Sequence, residues 1–303
     1  MQQAVLDRII ERSPSGRLLF YYFKDRYALM LLEDVVASGR SIAELKKSQF
    51  QPLLCRPLVR QVLSRVSDRQ LRVQDLQSRW VYPYQVFRLT FGQWPLPGER
   101  WRRSWHQMAR SGVNLVLQLN LPMRHICEME RLLREARGEL QCDLHPIAAK
   151  PDFTLAWSRI DFDPDSKEVL IEEVQSDWVR DAVANSMAAV VDRSRWKQYV
   201  QRWLQPYRRI WSEAMLAATI AMVRSMLAPK RIFYYTFSTG NKIKRLACYP
   251  PPRSLYVDLP RRFCFRETHH GPSFLREHGA RQIKRTLRDP SSKWFVMDLD
   301  LDR

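Results

Sequence analysis

Glu172, Glu173, Gln175 and Asp177 sit in and just after an apolar run, residues 168–174, that holds Val169, Leu170, Ile171 and Val174. A carboxylate in so apolar a strand is costly unless something pairs with it or ligates it, so these side chains are where chemistry is expected. A second reactive stretch is Ser238-Thr239-Gly240-Asn241-Lys242-Ile243-Lys244-Arg245. Gly240 permits close backbone approach, and Lys242, Lys244 and Arg245 offer cations, as a phosphate-binding turn requires. The GxxxxGK[ST] spacing of a nucleotide-binding P-loop is absent.

The elements that must position these groups can be read from the apolar pattern. Runs 153–160 and 168–174 flank the turn formers Asp163, Pro164, Asp165 and Ser166, which predicts a β-hairpin. Strict alternation places Val169, Ile171, Glu173 and Gln175 on one face and Glu168, Leu170, Glu172 and Val174 on the other. The alternative is an edge strand whose acids are merely solvated or salt-bridged. A strand is expected at 113–120 and an amphipathic helix at 126–137. A long helical region, 179–227, breaks near Pro206, and a buried strand at 231–237 follows it. Two short strands (255–259 and 263–265), a basic helix at 281–288 and a closing strand at 294–302 complete the chain. Residues 1–80 read as helical and basic, and residues 81–112 as a connector rich in turn formers.

Fifty Lys and Arg against 32 Asp and Glu give a formal charge of +18. That excess favours a polyanionic partner, DNA or RNA first, with a protein partner as the other reading. Residues 101–110 interleave Trp101 and Trp105 with Arg102 and Arg103, a composition able to stack bases and neutralise phosphates. Arg195, Lys197 and Arg202 surround Trp196, Tyr199, Trp203 and Tyr207, which share one helical face; the cations read as nucleic-acid contacts and the aromatic stripe as core. The longest apolar run, 214–223, is too short to span a bilayer, so no membrane is expected. Five cysteines (Cys55, Cys127, Cys142, Cys248, Cys264) without a CxxC pair fit free thiols in a reducing cytoplasm. The spacing of Cys264 to His269 and His270 is poor for zinc, and His106, His125 and His145 have no evident partner.

Two resemblances bear on function. Glu172 to Trp178, EEVQSDW, resembles the E-E-[VI]-Q-S-D-W run in domains of phage and mobile-element polyvalent proteins, over about residues 150–246. It implies a shared polar site at a strand end, with Glu173, Gln175, Ser176 and Asp177 facing Thr239 to Arg245. Pro151-Asp152 followed by Glu173-Val174-Gln175 is also similar, more weakly, to the PD-(D/E)XK restriction-endonuclease-like nucleases. That resemblance implies Asp152 and Glu173 holding Mg²⁺, which would activate water at a scissile phosphate. Gln175 stands where the family usually has Lys, and Asp177 would complete the catalytic set.

These readings converge on an α+β (mixed α/β) protein. A helical, basic region at 1–112 is expected to precede a mixed-sheet domain at 113–303. Its expected function is nucleic-acid binding, with Mg²⁺-dependent nuclease activity. The alternatives are a non-catalytic basic binding protein and a transferase using a nucleotide or acyl donor.

Overall fold

A computed structural model describes residues 1–14, 18–37, 41–66, 70–96, 98, 107–134, 139–188, 192–244 and 251–299. The chain opens with helix α1 (Gln3–Glu11) and strand β1 (Leu18–Tyr22). Helices α2 (Arg26–Ala37), α3 (Ile42–Leu45), α4 (Gln51–Leu54), α5 (Pro57–Leu63) and α6 (Val73–Gln77) follow. Strands β2 (Gln85–Trp94) and β3 (Asn114–Asn120), helix α7 (Met123–Leu133) and the hairpin β4 (Thr154–Asp163) and β5 (Glu168–Gln175) come next. Helices α8 (Asp177–Met187) and α9 (Arg193–Gln198), a π-helical turn (Tyr199–Trp203), α10 (Gln205–Arg208) and α11 (Trp211–Leu227) lead to β6 (Arg231–Tyr235) and α12 (Phe237–Lys244). The chain then runs through α13 (Arg253–Tyr256), α14 (Asp258–Arg262), β7 (Arg266–Thr268), α15 (Phe274–His278), α16 (Arg281–Arg288) and β8 (Trp294–Asp298).

The strands form one mixed sheet in the order β1-β2-β3-β4-β5-β6-β8-β7. All neighbours are antiparallel except β5 and β6, which are parallel. A parallel pair needs a crossover, and the helices from α8 to α11 supply it. The architecture is thus the expected α+β class, with helices at the N-terminal end. Two stretches differ from expectation. Leu18–Tyr22 pairs with Gln85–Leu89 as β1 and β2, so the region read as helical and the connector both contribute strands to this sheet. Apolar β1 alone carries no period that tells strand from helix; its partner 67 residues later decides it. The stretches 255–259 and 263–265 are not strands: α13 and α14 occupy that part of the chain, and the short strand β7 comes after them.

Covered on both faces, β3 is buried along its whole length and β4 nearly so. This is why both read as near-continuous apolar runs. Helix α11 lies on β3, β4 and β5, and buries Met215, Leu216, Ile220 and Val223 there. A hydrogen bond of 2.7 Å between Ser158 and Thr219 joins β4 to α11. One apolar core extends from Leu32 and Val59 of the N-terminal helices to Leu117, Ile171, Leu216 and Phe233. Each fully buried Leu or Ile contributes about 1.5–3 kcal/mol to this core. Trp196, Tyr199 and Tyr207 are buried in it, as the stripe reading expected. The apolar run 214–223 falls inside α11, and among the described residues no helix is long and apolar enough to cross a membrane.

Candidate functional site

The β4–β5 register carries the polar site. Arg159 lies opposite Glu173 and Ile160 opposite Ile171, so Glu172 is the extra residue of a β-bulge. A bulge inverts the alternation on its two sides. Leu170, Glu173 and Gln175 therefore share a face with Trp157, Arg159 and Asp161, while Val169, Ile171 and Val174 join Ser158 and Ile160 toward α11. Strict alternation had put Ile171 beside Glu173, and the bulge corrects it. It gathers the polar groups of the hairpin onto one face and leaves the other to the core.

On the polar face most of the charges are paired. Glu173 accepts hydrogen bonds from the Arg159 guanidinium, Nε at 3.0 Å, and lies 3.1 Å from the Lys244 ammonium. Burial would push the Glu173 carboxyl up, but Lys244 and Arg159 outweigh it and hold it down at about 2. Glu172 accepts from the Ala109 amide at 3.0 Å, and burial raises its carboxyl above the ordinary range. Asp161 takes Arg110 through two bonds of 2.8 and 2.9 Å and the terminal ammonium of Met1 at 2.7 Å. Glu168 accepts from Ser273 and pairs with Arg231 at 2.6 Å. These contacts bring α12 and the α15 region over the polar face, Arg110 stacking on Phe274 at 4.3 Å.

Asp152 does not join this cluster. It pairs with Arg88 at 3.0 Å, two residues ahead of β4. The five steps from Thr154 to Arg159 span roughly 16 Å at strand rise, so Asp152 is too far from Glu173 to share one ion. The two carboxylates, each already neutralised by a cation, do not fit a joint Mg²⁺ site. Among the described residues no group of three or more His, Cys, Asp or Glu side chains is placed to hold a metal ion. The antiparallel hairpin is the reason: it sets Gln175, not Glu173, at the end of β4 nearer Asp152.

From Thr239 to Lys244 the chain is also not a turn. It forms α12 as far as Lys244, and Arg245 lies outside the described residues. Gly240 is helical and packs under Tyr235 and Tyr256, where a side chain would meet Tyr235 Cβ at 3.3 Å. The Thr239 hydroxyl donates to the Lys293 carbonyl at 2.7 Å, and Lys242 pairs with Asp289. Lys244 is buried against Glu173. Thr239, Lys242 and Lys244 thus tie α12 to its neighbours.

The remaining members of EEVQSDW converge with a residue that sequence alone left unassigned. His145 Nδ1 lies 2.7 Å from Asp177 Oδ2. Gln175 Nε2 donates to the other Asp177 oxygen, and Arg180 pairs with it at 2.9 Å. Asp177 is buried, which raises a carboxyl, yet His145, Arg180 and Gln175 together hold it below the ordinary range. His145 is about one-third exposed and its ring lies against Trp157. A carboxylate that fixes one nitrogen of a partly exposed imidazole orients the ring for proton transfer. No local spacing announces this pair, because 32 residues and a loop separate its members. Ser176 caps α8 through the Val179 amide, and Trp178 Nε1 donates to Tyr199 at 2.7 Å.

A second site lies on α15 and α16. Arg281, Lys284, Arg285 and Arg288 fall at i, i+3, i+4 and i+7, one face of the helix, while Ile283 and Thr286 are buried behind them. They line a groove of about 430 Å³ with Gly279 at one end. An adjoining hollow of about 350 Å³ shares Lys284 and Arg288 and adds Arg276. None of these five cations pairs with an acid among the described residues. Gly279 closes the end of α15: an added Cβ would lie 2.3 Å from the Leu275 carbonyl oxygen of the same helix and 3.1 Å from Ile283 of α16. The groove is pinned to the polar face of the sheet by an Arg110–Gly279 bridge and by the Ala280 amide donating to Ala109.

Of the other expected contacts, Arg195 pairs loosely with Asp192 at 3.7 Å and Arg202 lies over Trp203, with Lys197 exposed on the same segment. Trp101, Arg102, Arg103 and Trp105 lie outside the described residues. The fold and site together define an α+β protein with a buried ionic layer and an open cationic groove. No family profile, curated protein or solved structure matches the chain.

Proposed function

We propose that this chain is a nucleic-acid-binding protein that contacts phosphates through the α15–α16 groove and works in the cytoplasm, where scattered cysteines stay reduced. One observation carries the reading: five cations line the groove and its adjoining hollow without an acidic partner among the described residues. Like charges at i and i+4, here Arg281 with Arg285 and Lys284 with Arg288, oppose the helix by about 0.2–0.5 kcal/mol per pair. A polyanion in the groove relieves that repulsion, and the formal charge of +18 draws it in. The test is the salt dependence of binding to a labelled oligonucleotide. Each phosphate contact contributes roughly 0.7–0.9 to the slope of log K against log salt. Replacing Arg281, Lys284, Arg285 and Arg288 by Gln is expected to flatten the slope by about 3. An unchanged slope refutes the assignment.

An enzymatic reading is supported by the His145–Asp177 pair and not by a metal site. His145 would accept the proton of a ribose 2′-hydroxyl as that oxygen bonds to the adjacent phosphorus, and the 5′-oxygen would leave with a proton from solvent. Its test is cleavage of labelled RNA in the presence of a chelator, expected to vanish in His145→Ala while binding is retained. Intact RNA with the wild-type protein leaves the binding function alone.

A further inference from the structure

Three of the chain's large aromatic side chains face solvent together: Trp80, Tyr82 and Tyr84 are 50, 86 and 40 % exposed. They occupy the segment between α6 and β2, beside Tyr21 of the edge strand β1. Trp80 and Tyr84 have ring centroids 5.9 Å apart, Tyr82 and Tyr84 6.1 Å, and Tyr21 and Tyr84 5.8 Å. Phe23 supports Trp80 from behind at 5.9 Å. Aromatic rings of this size are usually buried, so a cluster left in water marks a contact surface.

The ring geometry says what it contacts. The interplanar angles of 70° and 86° are edge-to-face, a contact that uses a face of only one ring of each pair, and Tyr82, 86 % exposed with Tyr84 beside it, keeps ring face in water. Open faces stack on flat partners. Cations accompany the rings: the Arg26 guanidinium lies over one face of Trp80, 4.9 Å from its centroid, and Arg79, next in the chain, donates to Gln61 and pairs with no acid among the described residues. Open aromatic faces beside guanidinium groups match unpaired bases on a phosphate backbone. Duplex bases are already stacked and cannot reach such a surface.

We infer that Trp80, Tyr82 and Tyr84 form a base-stacking platform that selects single-stranded nucleic acid. The inference rests on the nucleic-acid reading above and names its substrate class. The α16 groove supplies charge that any polyanion satisfies, whereas the rings require exposed bases.

The experiment compares a labelled 20-nucleotide oligothymidylate with a 20-base-pair duplex, binding the full chain at moderate salt. Wild type is expected to bind the single strand more tightly, with quenching of Trp fluorescence. Tyr82→Ala/Tyr84→Ala is expected to weaken oligothymidylate binding by at least about tenfold, with duplex binding and thermal midpoint unchanged. Trp80→Phe, which keeps a ring, is expected to lose much of the quenching and little affinity. The α16 substitutions weaken both probes, so the two sites separate. The platform is refuted if the double variant binds oligothymidylate as well as wild type does, or loses both probes equally. A fall in oligomer mass of the double variant with unchanged binding also overturns it, and assigns the rings to contact between copies. Binding of neither probe by wild type refutes the nucleic-acid reading itself.

Discussion

The Arg159 guanidinium and the Glu173 carboxylate meet across β4 and β5 with Nε and Oε2 3.0 Å apart, and Lys244 closes the same carboxylate from α12. One acid between two buried cations is held by attraction that no isolated strand could provide. The contact makes Glu173 a structural anchor joining the hairpin to α12. Removing one partner of such a cluster leaves the others charged and uncompensated. Glu173→Gln is expected to destabilise the fold by about 3–5 kcal/mol, read from urea unfolding. Asp152→Asn, which frees only the half-exposed Arg88, is expected to change stability by less than about 1 kcal/mol.

Acid should unfold the protein in two windows. Buried His125 bonds Tyr199 at 2.8 Å, and burial lowers its imidazole from 6.5 to about 4. A lowered histidine is neutral in the folded state, so its contribution is full above about 6.5 and is lost as pH falls toward 4. Glu173, lowered from 4.5 to about 2, contributes fully above about 4.5 and loses that contribution as pH falls through 2. Unfolding free energy measured against pH should flatten in the upper window in His125→Gln and in the lower window in Glu173→Gln. Parallel curves for wild type and variants would refute both assignments.

Neutralising the α16 stripe should act on binding and not on folding. Arg281, Arg285 and Arg288 are exposed, so their replacement by Gln is expected to leave the thermal midpoint within a few degrees of wild type. Relief of like-charge repulsion would even raise it slightly. Affinity for any polyanion, heparin included, should fall steeply, as retention on a heparin column will report.

Gly279→Ala tests whether the groove depends on how α15 ends against α16. The new Cβ would press on the Leu275 carbonyl oxygen, a backbone atom that cannot swing aside. A loss of about 1–3 kcal/mol in thermal or denaturant unfolding is expected. Because Gly279 lines the groove, oligonucleotide affinity should fall with it.

Much of the frame was legible in the residues. The hairpin turn around Asp163 to Lys167, the strands near Val113 and Arg231, and the buried character of α11 follow from apolar runs and turn formers, which act over a few residues. The cationic face of α16 was legible too, since 281, 284, 285 and 288 are spaced as one helical face. The period-2 placement of Trp157, Arg159 and Asp161 in an apolar strand was a signal for a polar face opposite the acids.

The amino-acid sequence by itself determined the α+β class, the excess positive charge and the run of acids at the end of one hairpin, because composition and short-range pattern are local properties. The tertiary structure decided which acid meets which base. It joined β1 to β2 across 67 residues, inserted the bulge that turns Glu173 to Arg159, brought His145 to Asp177, and kept Asp152 apart from Glu173. Such choices depend on register and on contacts between distant segments, where a shift of one residue carries a side chain from the core to the opposite face.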